Sequence, residues 1–409
     1  MMRRKLEVFL TLLMVMVSLL LGFVCSELGY RIYLAHTIKN EVASPTNWFV
    51  MSDAFWDYDR DFGFTYTRNG SMNETFIRDG LPALCVEFIA DSRGNPGHNS
   101  SVANPKKRIY VFGDSFTMYQ HGHGSSWPAL LEERLNVNNS SIEVRNYARD
   151  GTGVLQMFDS AVAAARAQRP DLVIIAFIAH DLIRARVWRE AQRNSDGTID
   201  MFTSIDPDLG HADGSYARSG FVDTRASRQW CESARRSADA NDPVLARIRA
   251  TYSKMLTEDA LRFGKHVDFT TLRHSYLLSK LVHKDPFYQA LPKMMPSFIG
   301  INSFADDPAF MRDVETLKRL DIPLLFVWLP QIDEMKTGHH ILTDQQQSLY
   351  ESLVRITGRP VIDVLPTRPL KDDADPYYMV PVDQHPSEKG LGLFADGVYA
   401  KLNHYWPVY

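Results

Sequence analysis

Cysteine is scarce: of 409 residues only Cys25, Cys85 and Cys231 carry a thiol. None stands in a Cys-x-x-Cys pair or beside paired histidines, so the spacing of a structural zinc site is missing. In an exported domain Cys85 and Cys231 are able to form one disulfide; two separate buried thiols is the other reading, and both stay open. Positive charge is not in excess either. A formal charge of -4 and a pI near 6.4 provide no broad cationic field, which excludes a nucleic-acid partner. There is no Gly-x-Ser-x-Gly elbow and no phosphate-binding Gly-Lys-Ser/Thr loop, which argues against an α/β-hydrolase lipase and a P-loop enzyme. Internal repeats and low-complexity tracts are also lacking. With 45% apolar and 23% charged residues, the chain is able to bury one large core or two modest ones.

One long apolar run is present. Arg3-Arg4-Lys5 precedes an uncharged stretch from Val8 to Cys25, which as a helix would span roughly 27 Å, close to the thickness of a bilayer's hydrocarbon. No Ala-x-Ala-like cleavage site follows, so residues 1–30 are expected to be an uncleaved transmembrane anchor. The basic residues before it keep the N-terminus in the cytoplasm and send the rest of the chain across, to an extracytoplasmic (periplasmic or extracellular) location. Val24 stands where a lipoprotein signal wants a small residue before Cys25, which speaks against lipidation there.

Residues 31–105 mix aromatics such as Trp48, Phe55, Trp56 and Phe64 with Asn, Gly and Asp, and read as a strand-and-loop flank packed on the main domain. From residue 106 short apolar runs alternate with amphipathic segments, the pattern of a parallel α/β sheet. The expected strands are Arg108–Phe112, Ile142–Tyr147, Leu172–Phe177, Pro323–Leu329 and Val361–Val364, each rich in β-branched or aromatic residues. The expected helices are Pro128–Leu135, Leu155–Gln168, Asp313–Leu320, Asp344–Thr357 and Glu388–His404. Residues 186–310 exceed an ordinary crossover and read as an inserted, partly helical cap, leaving 106–185 and 311–409 as the catalytic domain.

In an open parallel sheet ligands bind beyond the carboxyl ends of the strands. The first strand runs into Gly113-Asp114-Ser115, where the glycine permits a tight turn and the serine is able to present Oγ and its backbone N–H. After the second strand Gly151 offers an unobstructed N–H to a developing oxyanion. The third strand closes on the polar pair His180-Asp181. Near the C-terminus Asp383 stands two residues before His385, close enough to reach Nδ1 and leave Nε2 free to take a serine proton. His121 with His123, and His339 with His340, lack acidic partners at ligand spacing and read as solvated loops.

In their order and relation to the strands, these segments resemble the blocks of the SGNH/GDSL hydrolase superfamily, over about residues 106–185 and 321–403. Residues Val111 to Thr117 look like the first block with its nucleophile, Asn146 to Gly151 like the second, and Asp383 with His385 like the last. Two further stretches are similar to those of anchored members: Asp59-Arg60-Asp61-Phe62-Gly63-Phe64 and Pro170-Asp171-Leu172-Val173. The resemblance implies a three-layer α/β/α sandwich with a parallel, flavodoxin-like sheet. It also implies a serine esterase with Ser115, Asp383 and His385 as the triad, an oxyanion hole from Ser115, Gly151 and His180, and no cofactor. His180 is a departure, since the family's third block carries an Asn there; an imidazole N–H is also a donor, but one that makes activity depend on protonation. The partner so implied is an ester-bearing small molecule, glycan or lipid outside the membrane, acetyl groups included. Transfer of the acyl group to a cell-surface polysaccharide, or a catalytically silent envelope-binding role, are the alternatives.

Overall fold

The computed structural model describes residues 47–51, 55–120, 125–138, 141–184, 188–193, 199–204, 224–239, 241–248, 250, 303–381 and 383–406, with part of 10–32. The chain forms two units, Asn47–Asp242 with Gly300–Tyr409 and Met1–Thr46 with Pro243–Ile299. In the smaller unit the described residues within 10–32 are helical and exposed, Leu13, Met14 and Met16 among them. Among the described residues no helix is long and apolar enough to cross a membrane. The anchor expected over 1–30 falls partly outside them.

In the larger unit the flank comes first, with β1 (Asn47–Met51), β2 (Trp56–Asp59), β3 (Gly63–Tyr66), β4 (Ser71–Arg78) and β5 (Leu81–Ile89). The chain continues through β6 (Lys107–Phe112), α1 (Ser115–Met118), α2 (Trp127–Asn136), β7 (Ile142–Asn146), α3 (Val154–Ala167), β8 (Leu172–Phe177) and α4 (Ala179–Ile183). A hairpin of β9 (Trp188–Arg193) and β10 (Ile199–Ser204) and the helix α5 (Thr224–Ser237) follow. The last elements are α6 (Pro308–Arg319), β11 (Leu324–Trp328), α7 (Ile332–Thr337), α8 (Asp344–Thr357), β12 (Val361–Asp363) and α9 (Glu388–Tyr405).

Five strands form a parallel sheet in the order β12-β11-β8-β6-β7. Numbered among themselves this is the 2-1-3-4-5 order of flavodoxin-like sheets, whose direction of winding reverses between β6 and β8. Successive residues point to opposite faces. Ile109, Val111, Ile174 and Val327 meet Trp127 and Leu131 of α2 and Phe394 and Val398 of α9. Tyr110, Phe112, Ile175 and Phe326 meet Phe158 of α3, Phe310 of α6 and Leu353 of α8. Each such side chain contributes about 1.5–3 kcal/mol when fully buried, so a sheet covered on both faces selects continuous apolar strands.

The α6 helix begins at Pro308, five residues before the expected Asp313, because Asp307 caps it by accepting from the N–H groups of Ala309 and Phe310. His340 also departs from its expected solvated loop. It bridges buried Glu334, at 3.0 Å from Nδ1, and Asp363, at 2.9 Å from Nε2, with its ring 4.2 Å from that of Trp328. Burial alone would lower its pKa, but the two carboxylates outweigh it and push the imidazole up to about 9.

The flank forms an antiparallel sheet β1-β4-β5 and a hairpin β2-β3. In the region expected to be an inserted cap, α5 packs on β4 and β5 and is bonded to the flank through the disulfide Cys85–Cys231. Much of the cap expected over 186–310 lies outside the described residues, as do His121 and His123.

Candidate active site

The turn after β6 sets the position of Ser115. A side chain at Gly113 would press on Thr117 Oγ1 and stand 2.9 Å from the carbonyl oxygen of Ala176, so only glycine lets β6 turn this close to β8. Asp114 then caps α1, its Oδ1 accepting the Phe116 N–H at 2.9 Å. Ser115 opens the helix and is buried at 7% exposure.

The loop after β7 is tied to this turn. The Arg149 N–H donates to the Gly113 carbonyl at 2.9 Å, and Asn146 Nδ2 donates to the Thr117 carbonyl at 3.0 Å. Arg149 itself is buried, its Nε donating to the Phe64 carbonyl and Nη2 to Asn95 Oδ1. The flank thereby holds the loop that presents Gly151, whose φ of 66° is a left-handed conformation suited to glycine.

From the C-terminal loop, His385 Nδ1 lies 2.5 Å from Asp383 Oδ2 and Nε2 lies 2.8 Å from Ser115 Oγ. Burial acts to lower the imidazole pKa, but the hydrogen bond and negative charge of Asp383 prevail and hold it above the usual value. The His385 ring is stacked on Tyr119, with centroids 4.5 Å apart and planes at 11°.

Ser115, Gly151, His180, Asp383 and His385 all line one cavity of about 430 Å³ at the carboxyl ends of β6 and β8. His180 lies on α4 near Arg184 at the cavity wall, and partial burial of the ring, then that positive charge, lower its pKa. Asp181 is fully buried. Its Oδ2 accepts the Ile178 N–H at 3.0 Å, and burial and the neighbouring Asp114 carboxylate push its pKa well up. By capping the helix that starts right after β8, that bond gives the acidic residue closing an apolar strand its structural reason.

Several lining residues carry no signal in the sequence: Glu74, Phe76 and Phe88 from the flank, Tyr119 after Ser115, Arg184 at the end of α4, and Gln331 after β11. Gln331 was open to discovery, since it follows β11 at the same sheet edge. The flank residues were not, because their register against the cavity is set by antiparallel pairing far from the motifs.

Residues 109–205 match the family model described as GDSL-like Lipase/Acylhydrolase. No curated protein matches. Among solved structures, the chain is similar to a putative lipolytic protein of the G-D-S-L family from Desulfitobacterium hafniense, at 14% identity and a TM-score of 0.31 over 72% of this chain and 99% of the other. It is also similar to a lipase/acylhydrolase from Enterococcus faecalis, at 11% identity and 0.32 over 73% and 96%. A third is a catalytic mutant of an acetylxylan esterase from Geobacillus stearothermophilus, at 12% identity and 0.34 over 74% and 96%. These likenesses are too loose to transfer a substrate.

Proposed function

We propose that this chain, whose residues 109–205 match the GDSL-like lipase/acylhydrolase model, is an ester-bond hydrolase of the SGNH/GDSL type that works by acyl transfer through Ser115, His385 and Asp383. His385 Nε2 takes the proton of Ser115 Oγ as the oxygen attacks the ester carbonyl carbon. The oxyanion is held by the backbone N–H groups of Ser115 and Gly151 and by the His180 side chain. His385 returns the proton to the departing alcohol, and the acyl group stays on Ser115. Water then attacks the acyl-enzyme with His385 again as base, releasing the acid and restoring the serine. Asp383 steadies the imidazolium that forms in each half.

The observation that carries this reading is the continuous contact from Asp383 through His385 to Ser115, at 2.5 and 2.8 Å. The substrate we propose is an extracytoplasmic ester, with a short acyl group such as acetyl on an envelope glycan or lipid. The disulfide Cys85–Cys231 supports an oxidising compartment. The basic residues before the apolar run and the exposed helical residues behind them support an anchored chain facing outward.

The test is hydrolysis of a short-chain nitrophenyl ester by the purified protein. Ser115→Ala is expected to lose at least about 10⁴-fold in kcat, and Asp383→Asn about 10⁴-fold. A Ser115→Ala protein as fast as the wild type would sink the assignment.

A further inference from the structure

The flanking sheet β1-β4-β5 presents two different faces. On β4, Asn73 turns toward α5, where its Nδ2 donates to Ser227 Oγ at 3.1 Å. Met72, Glu74 and Phe76 alternate to the other face and line the cavity beside Phe88 of β5. Glu74 is therefore a carboxyl set in an apolar row, 7% exposed. Packing does not call for it, since burying a carboxyl carries a desolvation cost that an apolar side chain would avoid.

Its surroundings lead to the catalytic histidine. The Tyr119 hydroxyl donates to Glu74 Oε2 at 3.3 Å, and the Tyr119 ring lies flat against the His385 imidazole at 4.5 Å. A carboxyl from the flank, a phenol from the nucleophile turn and an imidazole from the C-terminal loop thus form one connected column. The ionisable groups that act on Glu74 are Tyr119, Asp150 from the loop after β7, and Asp383 and His385. Arg184 lines the same cavity. On its own sheet, Glu87 lies opposite Asn73 and is paired with Arg228 of α5 on the far face.

We propose that Glu74 is a positioning residue for ester hydrolysis: through Tyr119 it fixes the plane of the His385 ring, and its charge sets how strongly that ring holds a proton. The proposal rests on Ser115, His385 and Asp383 being the catalytic triad. Burial, joined by the negative charges of Asp383 and Asp150, pushes the carboxyl up to about 8, against the pull of His385 and the Tyr119 hydrogen bond. Glu74 is thus neutral at pH 7 and gains its charge within the range where an esterase works. Once ionised, it stabilises the imidazolium that forms as Ser115 attacks. The two groups titrate as a pair, so the rate reports both.

The experiment is kcat/KM for a short-chain nitrophenyl ester against pH, for the full chain and its Ser115→Ala, Glu74→Gln and Tyr119→Phe variants. The wild type is expected to show an acid limb set by His385 and a second, upward step near pH 8. Glu74→Gln removes the step and leaves the acid limb in place, because the carboxyl is already neutral over that limb. Tyr119→Phe keeps the ring against His385 but removes the hydrogen bond that favours the carboxylate, so the step moves to higher pH. A merely structural role would change the height of these profiles and leave their inflections in place. Profiles of Glu74→Gln and wild type that superimpose, with Ser115→Ala inactive, overturn the inference and leave the triad standing. Should Glu74→Gln fail to fold, a Tyr119→Phe step at the wild-type pH overturns it equally. An active Ser115→Ala overturns the triad, and the inference with it.

Discussion

At the scale of single residues, His180 has the most to explain. The sequence makes it a protonation-dependent donor in place of an Asn. In the structure burial and then Arg184 lower its pKa below the ordinary histidine value, which favours the neutral ring. A neutral imidazole still carries one N–H. His180→Ala is therefore expected to lower kcat by about 10²-fold with little change in KM, the loss typical of one oxyanion donor. His180→Asn, which restores an N–H donor, is expected to recover most of the rate without changing the pH profile above pH 7. Steady-state kinetics decide the matter: an unchanged kcat in His180→Ala takes the side chain out of the reaction.

At the scale of elements, the flank is held on two sides. Arg149 reaches from the loop after β7 into the β2-β3 hairpin, and α5 covers the outer face of β4 and β5. The disulfide Cys85–Cys231 closes a chain segment with a sequence separation of 146 residues. Its removal, in the double variant Cys85→Ser/Cys231→Ser, is expected to cost about 2–5 kcal/mol. Urea denaturation of that variant beside the wild type measures the loss. A midpoint that does not move would mean that burial and the Arg149 contacts suffice to hold the flank.

At the scale of the whole molecule, the proposed outward-facing anchor makes a distinct claim about where the chain is found. In fractionated cells the full chain is expected in the membrane, released by detergent and not by high salt, and a chain lacking residues 1–30 is expected in the soluble fraction. Release of the full chain by salt alone would remove the anchor from the account. The enzymatic reading would survive that result, because Ser115, His385 and Asp383 and the cavity they line lie in the larger unit.

Much of the parallel sheet was legible in advance because its strands are buried on both faces and so carry uninterrupted apolar runs; Leu172–Phe177 has the expected bounds. Ser115, and the pair Asp383 and His385, were legible because each is a local pattern next to a strand or helix end, where side-chain reach is short. By itself, then, the sequence determined the sheet's strands and marked the two segments that carry Ser115 and Asp383 with His385. Only the tertiary structure decided what surrounds them. Ser115 and His385 are 270 residues apart and meet because β6 lies at the reversal point of the sheet while α9 packs beneath it. Glu74, Tyr119 and Arg149 acquire their places through antiparallel pairing and long-range burial, which leave no periodic trace in the chain. The same physics that hides them from the sequence, removal of polar groups from water at a distance from any motif, shifts the ionisation of Glu74 toward the neutral range.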